Sequence, residues 1–216
     1  MTWNCSPWAW IQQGEYATQN NVWNVSGINY TQCIQFNHWR WHVNANDPSK
    51  IRTYPETIFG KKPWSAASTT PKLPKQLPSV YDMDVDFSWQ FISAQGLYNV
   101  SLDMWICDNV NCSQSDISDE VMVWLWYNGL TPAGEYKTTV TLEGYTWDFW
   151  SDGFTHTVKA TSKIMANKIR VGEMLRQMAI HGILSATNYL ASVEMGTEIA
   201  GGSGEFRINK FNVLNT

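Results

Sequence analysis

The chain has 216 residues, a length at which an all-β sandwich often forms one unit, so we expect a single domain over residues 1–216. Its formal net charge is -4, its pI is near 5.5, and its basic residues do not cluster, so we expect no nucleic-acid partner and no anionic-membrane partner. The sequence contains no run of about 18 apolar residues, so we predict no transmembrane segment.

Aromatic side chains are unusually frequent, since the chain has 13 Trp, 9 Tyr and 8 Phe, together 14% of its residues. A core alone rarely needs so many indoles, so we expect some of them on a surface. Trp and Tyr rings combine a flat apolar face with a polar edge, which suits stacking on the C–H face of a sugar ring and hydrogen bonding beside it. The composition therefore favours a sugar polymer as the binding partner.

The four cysteines are an even number, and their spacing does not resemble a zinc site. We interpret them as two disulfides, Cys5–Cys33 and Cys107–Cys112, which predict a secreted, extracellular protein. The alternative is four reduced thiols in a protein that stays inside the cell. The chain begins without a charged and apolar leader, so either a signal peptide has been removed or the export route is not visible in the sequence.

Short segments with period-two alternation, separated by Gly, Asn, Asp and Pro, predict an all-β sandwich. We predict strands at 31–43, 85–93, 97–107, 120–127, 136–150, 153–161, 188–197 and 204–214. The Pro-rich stretch 63–80 cannot be a central strand, so we predict a long surface loop that borders a cleft. Only 167–182 has apolar residues at helical spacing, and it ends at Gly182, which predicts one amphipathic helix.

The predicted strand 120–127 is the most informative segment for function, because alternation sorts its side chains onto two different faces. One face is aliphatic, and the other carries Glu120, Met122, Trp124 and Trp126. A carboxylate in line with two indoles is the arrangement expected of a sugar-binding cleft with a catalytic acid. The alternative is a half-exposed strand whose glutamate only keeps that face soluble.

Other segments also place acids on one face of a strand. Asp103 shares a polar and aromatic strand face with Asn99 and Trp105, because every second residue of a strand projects to the same side. Glu194 and Glu198 are four residues apart and therefore share a face. Cleavage of a glycosidic bond needs one acid to protonate the leaving oxygen and one carboxylate to attack or to activate water. Spacing alone leaves open which two acids form the pair.

Other chemistries are poorly supported by the sequence. The four histidines lack a convincing carboxylate or cysteine partner for a metal ion. The G-x-S-x-G motif of a serine hydrolase is absent, and the glycine-rich stretch 201–204 lacks the lysine of a phosphate-binding loop. We therefore expect neither a metal ion nor a cofactor.

Several motifs, in their order along the chain, resemble those of glycoside hydrolase family 12, small jelly-roll endoglucanases and xyloglucanases. These motifs are Asn20-Asn-Val-Trp23, Tyr54-Pro-Glu, Gly60-Lys-Lys-Pro-Trp64, Leu102-Asp-Met-Trp105, Glu120-Val-Met-Val-Trp124, Leu130-Thr-Pro-Ala-Gly134 and Gly196-Thr-Glu198. The resemblance covers nearly the whole chain. It implies a β-jelly-roll sandwich of two antiparallel sheets, with a concave substrate cleft and one α-helix on the convex side.

The resemblance also implies roles for individual residues. Glu120 matches the nucleophile, Glu198 the general acid/base, and Asp103 a neighbour that hydrogen-bonds the nucleophile. Retention of configuration then predicts carboxyl groups about 5–5.5 Å apart, and the two roles predict a higher pKa for Glu198 than for Glu120. The residues expected to bind substrate are Asn21, Trp23, Trp64, Asn99, Met122, Trp124 and Glu194.

These inferences lead to one main functional hypothesis and two alternatives. We expect residues 1–216 to form a single catalytic domain, a monomeric retaining endo-β-1,4-glucanase that acts on a β-glucan polysaccharide. A non-catalytic carbohydrate-binding module would use the same sandwich and aromatic stripe but would not need opposed acids. A xyloglucan- or xylan-specific endohydrolase would differ in its preferred polymer, which the sequence does not determine.

Overall fold

A computed structural model describes residues 2–65 and 67–216. Most of these residues form strands, in keeping with the alternation of apolar and polar residues in the sequence. The strands are β1 (Trp10–Gln13), β2 (Tyr16–Gln19), β3 (Tyr30–Gln35), β4 (His38–Val43), β5 (Glu56–Gly60), β6 (Lys75–Gln76), β7 (Asp84–Cys107), β8 (Ile117–Asn128), β9 (Glu135–Leu142), β10 (Tyr145–Ser151), β11 (Thr155–Ala160), β12 (Ala166–Ile169), β13 (Tyr189–Gly196) and β14 (Ile199–Leu214). The helix α1 spans Val171–Ile180, and short 3₁₀ turns span Leu77–Val80 and Gln114–Asp116. Across these two ranges, no helix is long and apolar enough to cross a membrane.

The long strand β7 belongs to both layers of a sandwich. In one layer the first half of β7 pairs with β12 and β14, and β14 pairs with β4, which pairs with β3. In the other layer the second half of β7 lies between β13 and β8, in the order β1-β2-β5-β13-β7-β8-β11-β10-β9. Among the described strands, each pair is antiparallel except β8 with β11, which is parallel. The predicted sandwich is confirmed, with this one departure from antiparallel pairing.

Several strand boundaries differ from the prediction, and one of them is the start of β14, which lies at Ile199 and not at 204. The segments 85–93 and 97–107 are one continuous strand, because Gly96 has a φ of 102° and lets β7 pass closely against β14. A Cβ added at Gly96 would lie 2.5 Å from the carbonyl oxygen of Gly201. Conversely, 31–43 and 136–150 are hairpins, and Asn37 and Glu143 take positive φ values of 59° and 54° at their turns. The short strands β1, β2, β5, β6 and β12 were not predicted.

Aromatic side chains fill the space between the two layers. Trp39 and Trp89 both stack on Phe206, at centroid distances of 4.8 and 5.6 Å. The indole Nε1 of Trp39 donates a hydrogen bond of 2.8 Å to Oγ1 of Thr197. The core therefore holds the segment that leads from β13 into β14.

The predicted helix 167–182 is confirmed, but it is shorter at its start, because residues 166–169 pair with β7 as strand β12. The helix buries the expected apolar stripe, which includes Met174, Leu175 and Met178. It ends where Gly182 takes a φ of 69°, a conformation that favours glycine.

One of the two predicted disulfides is confirmed. Cys5 and Cys33 form a disulfide. Cys107 and Cys112 are free and buried, so the predicted second disulfide is wrong. The short loop does bring the two side chains together, but they are hydrogen-bonded thiols that pack with Ala191 as small apolar groups.

The close contact of α1 with the turn before β7 generates a stability prediction. Replacing an exposed helix glycine with alanine stabilises a helix by about 1 kcal/mol. We expect Gly172→Ala to destabilise the protein instead, by about 1–3 kcal/mol, because the added Cβ would lie 2.3 Å from the carbonyl oxygen of Val80. Equilibrium urea unfolding measures the change, and a higher midpoint for the variant would contradict this packing.

Candidate active site

The nine-stranded layer carries an open cleft with a volume of about 660 Å³. Trp64 and Ser65 line its wall, so the start of the predicted loop 63–80 does border a cleft, whereas the end of that segment forms β6 and a 3₁₀ turn. Five tryptophans line the cleft: Trp8, Trp10, Trp23, Trp64 and Trp105.

Three of these indoles are exposed to an unusual degree. Their exposed fractions are 57% for Trp8, 48% for Trp23 and 49% for Trp64. Trp64 is held on one side by an edge-to-face contact with Trp105, at a centroid distance of 4.8 Å. Large apolar rings left open to water around a cleft are typical of a ligand-binding surface.

Three acids, Asp103, Glu120 and Glu198, line the same cleft, and each comes from a different part of the fold. Asp103 lies on β7, Glu120 on β8, and Glu198 in the short connection between β13 and β14. Because Trp105 is the cross-strand partner of Glu120, Asp103 and Glu120 project from the same face of the sheet at neighbouring positions. The structure thus brings together the three predicted catalytic residues.

Glu198 is held by Asn99. The side chain of Asn99 donates to Oε2 of Glu198 and accepts a hydrogen bond of 2.9 Å from the Glu198 N–H. Burial and the charge of Glu120 raise the pKa of Glu198 to about 8, against the opposing effect of the Asn99 hydrogen bond. Asn99 is itself fully buried, so it lies behind Glu198 and not on the cleft wall.

Glu120 accepts a hydrogen bond of 2.9 Å at Oε2 from the hydroxyl of Thr155. Burial raises the pKa of Glu120 to about 7, while the Thr155 hydrogen bond acts in the opposite direction. The pKa of Glu198 is therefore the higher of the two, in the expected order, but both values lie above that of an ordinary glutamate.

Asp103 differs from what the resemblance implies. Burial, followed by the charges of Glu120 and Glu194, raises its pKa well above the usual range. Within the described residues its Oδ1 atom has no hydrogen-bond partner, and no hydrogen bond joins it to Glu120. The register places Asp103 opposite Met122, two residues along β8 from Glu120.

A buried ion network lies next to these acids. The ammonium of Lys62 is 2.6 Å from Oε1 of Glu56 and 3.0 Å from Oε2 of Glu194. Burial alone would lower the pKa of Lys62, but the charges of Glu194 and Glu56 outweigh it and raise the pKa. Glu56 also accepts hydrogen bonds from the amide of Asn21, the shorter of which is 3.1 Å.

The predicted substrate-binding residues therefore fall into two groups. Those that line the cleft are Asn21, Trp23, Trp64 and Met122. Those that lie behind its wall are Asn99, Trp124 and Glu194: Asn99 bonds Glu198, Trp124 packs with Met122, Leu130 and Ala200, and Glu194 bonds Lys62 and Ser192.

Sequence reasoning missed several residues of the site. Trp8 and Trp10 are two positions apart, so the alternation used for 120–127 could have placed both on one face. For Lys62 and Thr155 the sequence offers no such signal, because their partners are distant along the chain. Lysine is also rarely buried, which made Lys62 an unlikely candidate.

Comparison with known proteins agrees with this geometry. A family model described as Glycosyl hydrolase family 12 matches residues 14–214. The chain is 31% identical to Endoglucanase S of Pectobacterium parmentieri, over 92% of this chain and 81% of that protein. It is 23% identical to a xyloglucan-specific endo-β-1,4-glucanase A of Emericella nidulans, over 97% of this chain and 89% of that protein.

Solved structures share the fold. A family 12 xyloglucanase from Bacillus licheniformis matches with a TM-score of 0.85 and 24% identity, over 98% of both chains. An endoglucanase from Rhodothermus marinus matches with a TM-score of 0.85 and 23% identity, over 99% of this chain and 98% of that one. The β-jelly-roll fold is therefore confirmed, and the family match over residues 14–214 shows that the chain belongs to glycosyl hydrolase family 12.

Proposed function

We propose that the chain is a retaining endo-β-1,4-glucanase that hydrolyses internal bonds of a β-glucan. The observation that carries this proposal is that Glu120 and Glu198 face one tryptophan-lined cleft, and that the charge of Glu120 raises the pKa of Glu198. The relatives whose names specify an endoglucanase and a xyloglucan-specific endo-β-1,4-glucanase support the same class of bond.

The reaction follows double displacement. Ionised Glu120 attacks the anomeric carbon while protonated Glu198 gives its proton to the departing oxygen, which leaves a glycosyl ester on Glu120. Because the charge of Glu120 is lost in that ester, the pKa of Glu198 falls. Glu198 can then act as the base that removes a proton from the attacking water, and hydrolysis of the ester restores both carboxyl groups.

Unsatisfied polar atoms support sugar binding in the cleft. Oε1 of Gln19, Oδ1 of Asp103 and Nε1 of Trp105 are buried in residues that line the cleft, and none has a hydrogen-bond partner within the described residues. Buried polar groups normally have partners. Sugar hydroxyls would supply them, while the exposed faces of Trp8, Trp23 and Trp64 would stack on the rings.

We also infer the setting in which the enzyme works. Residues 1–216 act as a single catalytic domain and as a monomer on the polysaccharide. The disulfide between Cys5 and Cys33 supports secretion, because such bonds persist in oxidising compartments outside the cytosol.

The first prediction from this function concerns the nucleophile. We expect Glu120→Gln to reduce activity to background, because an amide is too weak a nucleophile to form the ester. Release of reducing sugar from soluble β-glucan, carboxymethylcellulose, xyloglucan and xylan measures the loss and identifies the polymer. Glu173→Gln, on the helix, is the matched control and should retain activity. If the parent and Glu120→Gln bind glucan equally and neither hydrolyses any polymer, the binding-module alternative is correct.

The second prediction separates the acid from the nucleophile. We expect Glu198→Gln to lose about 100- to 10,000-fold in kcat on polymers, because the leaving oxygen is no longer protonated. On an aryl β-cellobioside with a 2,4-dinitrophenolate leaving group, formation of the ester needs no proton, so a burst of phenolate should persist. Absence of a burst in this variant, with a burst in the parent, would contradict the assignment of Glu198.

The third prediction is the pH profile. Activity requires ionised Glu120, so it should rise as the pH increases through about 7. It also requires protonated Glu198, so it should fall as the pH increases through about 8. We therefore expect a bell-shaped dependence of kcat/KM on pH with a neutral to slightly alkaline optimum. An optimum near pH 5, with both limbs below about pH 6, would contradict these environments.

A further inference from the structure

We propose that Thr155 is a positioning residue for Glu120: its hydroxyl holds Oε2, so that Oε1 is the oxygen that attacks the sugar. This inference rests on the function proposed above. It concerns β8 and β11, the one parallel pair among the described strands, which no motif of the sequence indicated.

The parallel register brings the two residues together. Thr155 is the cross-strand partner of Glu120, and the N–H of Glu120 donates a hydrogen bond of 3.0 Å to the carbonyl oxygen of Phe154. At this position the hydroxyl of Thr155 reaches Oε2 of Glu120 at 2.9 Å. Within the described part of the chain, this is the one hydrogen bond to the Glu120 carboxylate.

The backbone of Thr155 is held in place by a hydrogen bond to Asp152. The carboxylate of Asp152 accepts hydrogen bonds at Oδ1 from the N–H groups of Phe154 and Thr155, at 2.9 and 2.7 Å. The loop between β10 and β11 is therefore closed onto the start of β11. Because only 9% of Thr155 is exposed, its side chain has little freedom to leave Glu120.

A second set of hydrogen bonds ties the strands together on their opposite face. Asp119 precedes Glu120 and His156 follows Thr155, so alternation turns both away from the cleft. Nε2 of His156 lies 3.1 Å from Oδ1 of Asp119, and Nδ1 lies 2.9 Å from Oγ of Ser151. The pair of strands is thus joined by a hydrogen bond between side chains on each face.

The Ser151, His156 and Asp119 set resembles the residues of a serine hydrolase, but its surroundings favour a structural role. All three residues are buried, and Oγ of Ser151 also accepts a hydrogen bond of 3.0 Å from the N–H of Gly153. A hydroxyl in this position is not available to a substrate. The set therefore fixes β11 beside β8, and it supports the placement of Thr155.

The chemical consequence follows from the two oxygens of a carboxylate. A hydrogen bond at Oε2 draws electron density to that atom and fixes the plane of the group, which leaves the lone pairs of Oε1 directed to the sugar. In the ester, Oε1 bonds to the anomeric carbon and Oε2 becomes the carbonyl oxygen. When water releases the sugar, negative charge returns to the carboxylate, and the Thr155 hydroxyl stabilises it. Thr155 therefore orients the carboxylate for the first step and stabilises its charge in the second.

The test compares variants that remove or keep one hydroxyl. Thr155→Val and Thr155→Ala lack it, and Thr155→Ser keeps it. Thr157→Val is the matched control, because Thr157 lies two residues along the same strand, is buried, and its hydroxyl has no partner within the described residues. The assay is kcat/KM against pH on 2,4-dinitrophenyl β-cellobioside, with the melting temperature of each variant recorded.

We expect Thr155→Val and Thr155→Ala to lower kcat/KM by about 10- to 100-fold, the range for loss of one hydrogen bond to a charged group. The acidic limb should also move to higher pH, because that bond favours the ionised form of Glu120. Thr155→Ser should restore both properties, and Thr157→Val should leave both unchanged.

Two results would overturn the inference. If Thr155→Val and Thr155→Ala lower only the melting temperature, with the acidic limb in its parental place, Thr155 is a packing residue and the proposed function stands. If the parent hydrolyses neither a glucan nor the aryl cellobioside, the proposed function fails and the inference fails with it.

Discussion

The ion pairs of Lys62 with Glu56 and Glu194 are the interaction on which the cleft depends, because they neutralise charge where several acids meet in an apolar setting. Both glutamates are fully buried, and a carboxylate that loses its only cation in such a place costs the fold about 3–5 kcal/mol. Within the described residues, Asp103 forms no ion pair of its own. Burial, followed by the charges of Glu120 and Glu194, raises its pKa against the opposing charge of Lys62, and a neutral Asp103 adds no further repulsion to Glu120.

Burial, neighbouring charges and hydrogen bonds also give different pKa values to the two acids proposed for catalysis. The Thr155 hydroxyl and the charge of Lys62 favour the ionised form of Glu120. For Glu198, the Asn99 hydrogen bond favours the ionised form, against burial and the charge of Glu120. The fold supplies these unequal surroundings by bringing β7, β8 and β13 side by side in one layer. The core contributes as well, since the indole of Trp39 bonds Thr197, the residue before Glu198.

Local patterns predicted the parts of the fold that depend on local structure. Alternation in 120–127 placed Glu120 and Met122 on the cleft face, and helical spacing identified α1. The two hairpin turns were missed although Asn37 and Gly144, which follows Glu143, are typical turn residues, and all three adopt positive φ there. The long strand β7 was divided because Gly96 is typical of a turn, although here it allows two strands to cross closely.

Contacts between distant segments account for the remaining differences. Lys62 bonds Glu194, 132 positions away, and Thr155 bonds Glu120, 35 positions away, so neither link leaves a periodic pattern. Asn99 and Glu194 were expected to touch substrate because they share a face with other candidates. Alternation assigns a face but not a depth, and both side chains are bonded to partners behind the cleft wall.

The most direct test of the account is to trap the covalent intermediate. In a 2-deoxy-2-fluoro-β-cellobioside with a 2,4-dinitrophenolate leaving group, the fluorine destabilises the transition states of both steps. The good leaving group offsets this effect in the first step only, so the glycosyl ester accumulates. We predict one added glycosyl group per chain, found by peptide mass spectrometry on Glu120. A label on Glu198, Asp103 or any other residue would contradict it.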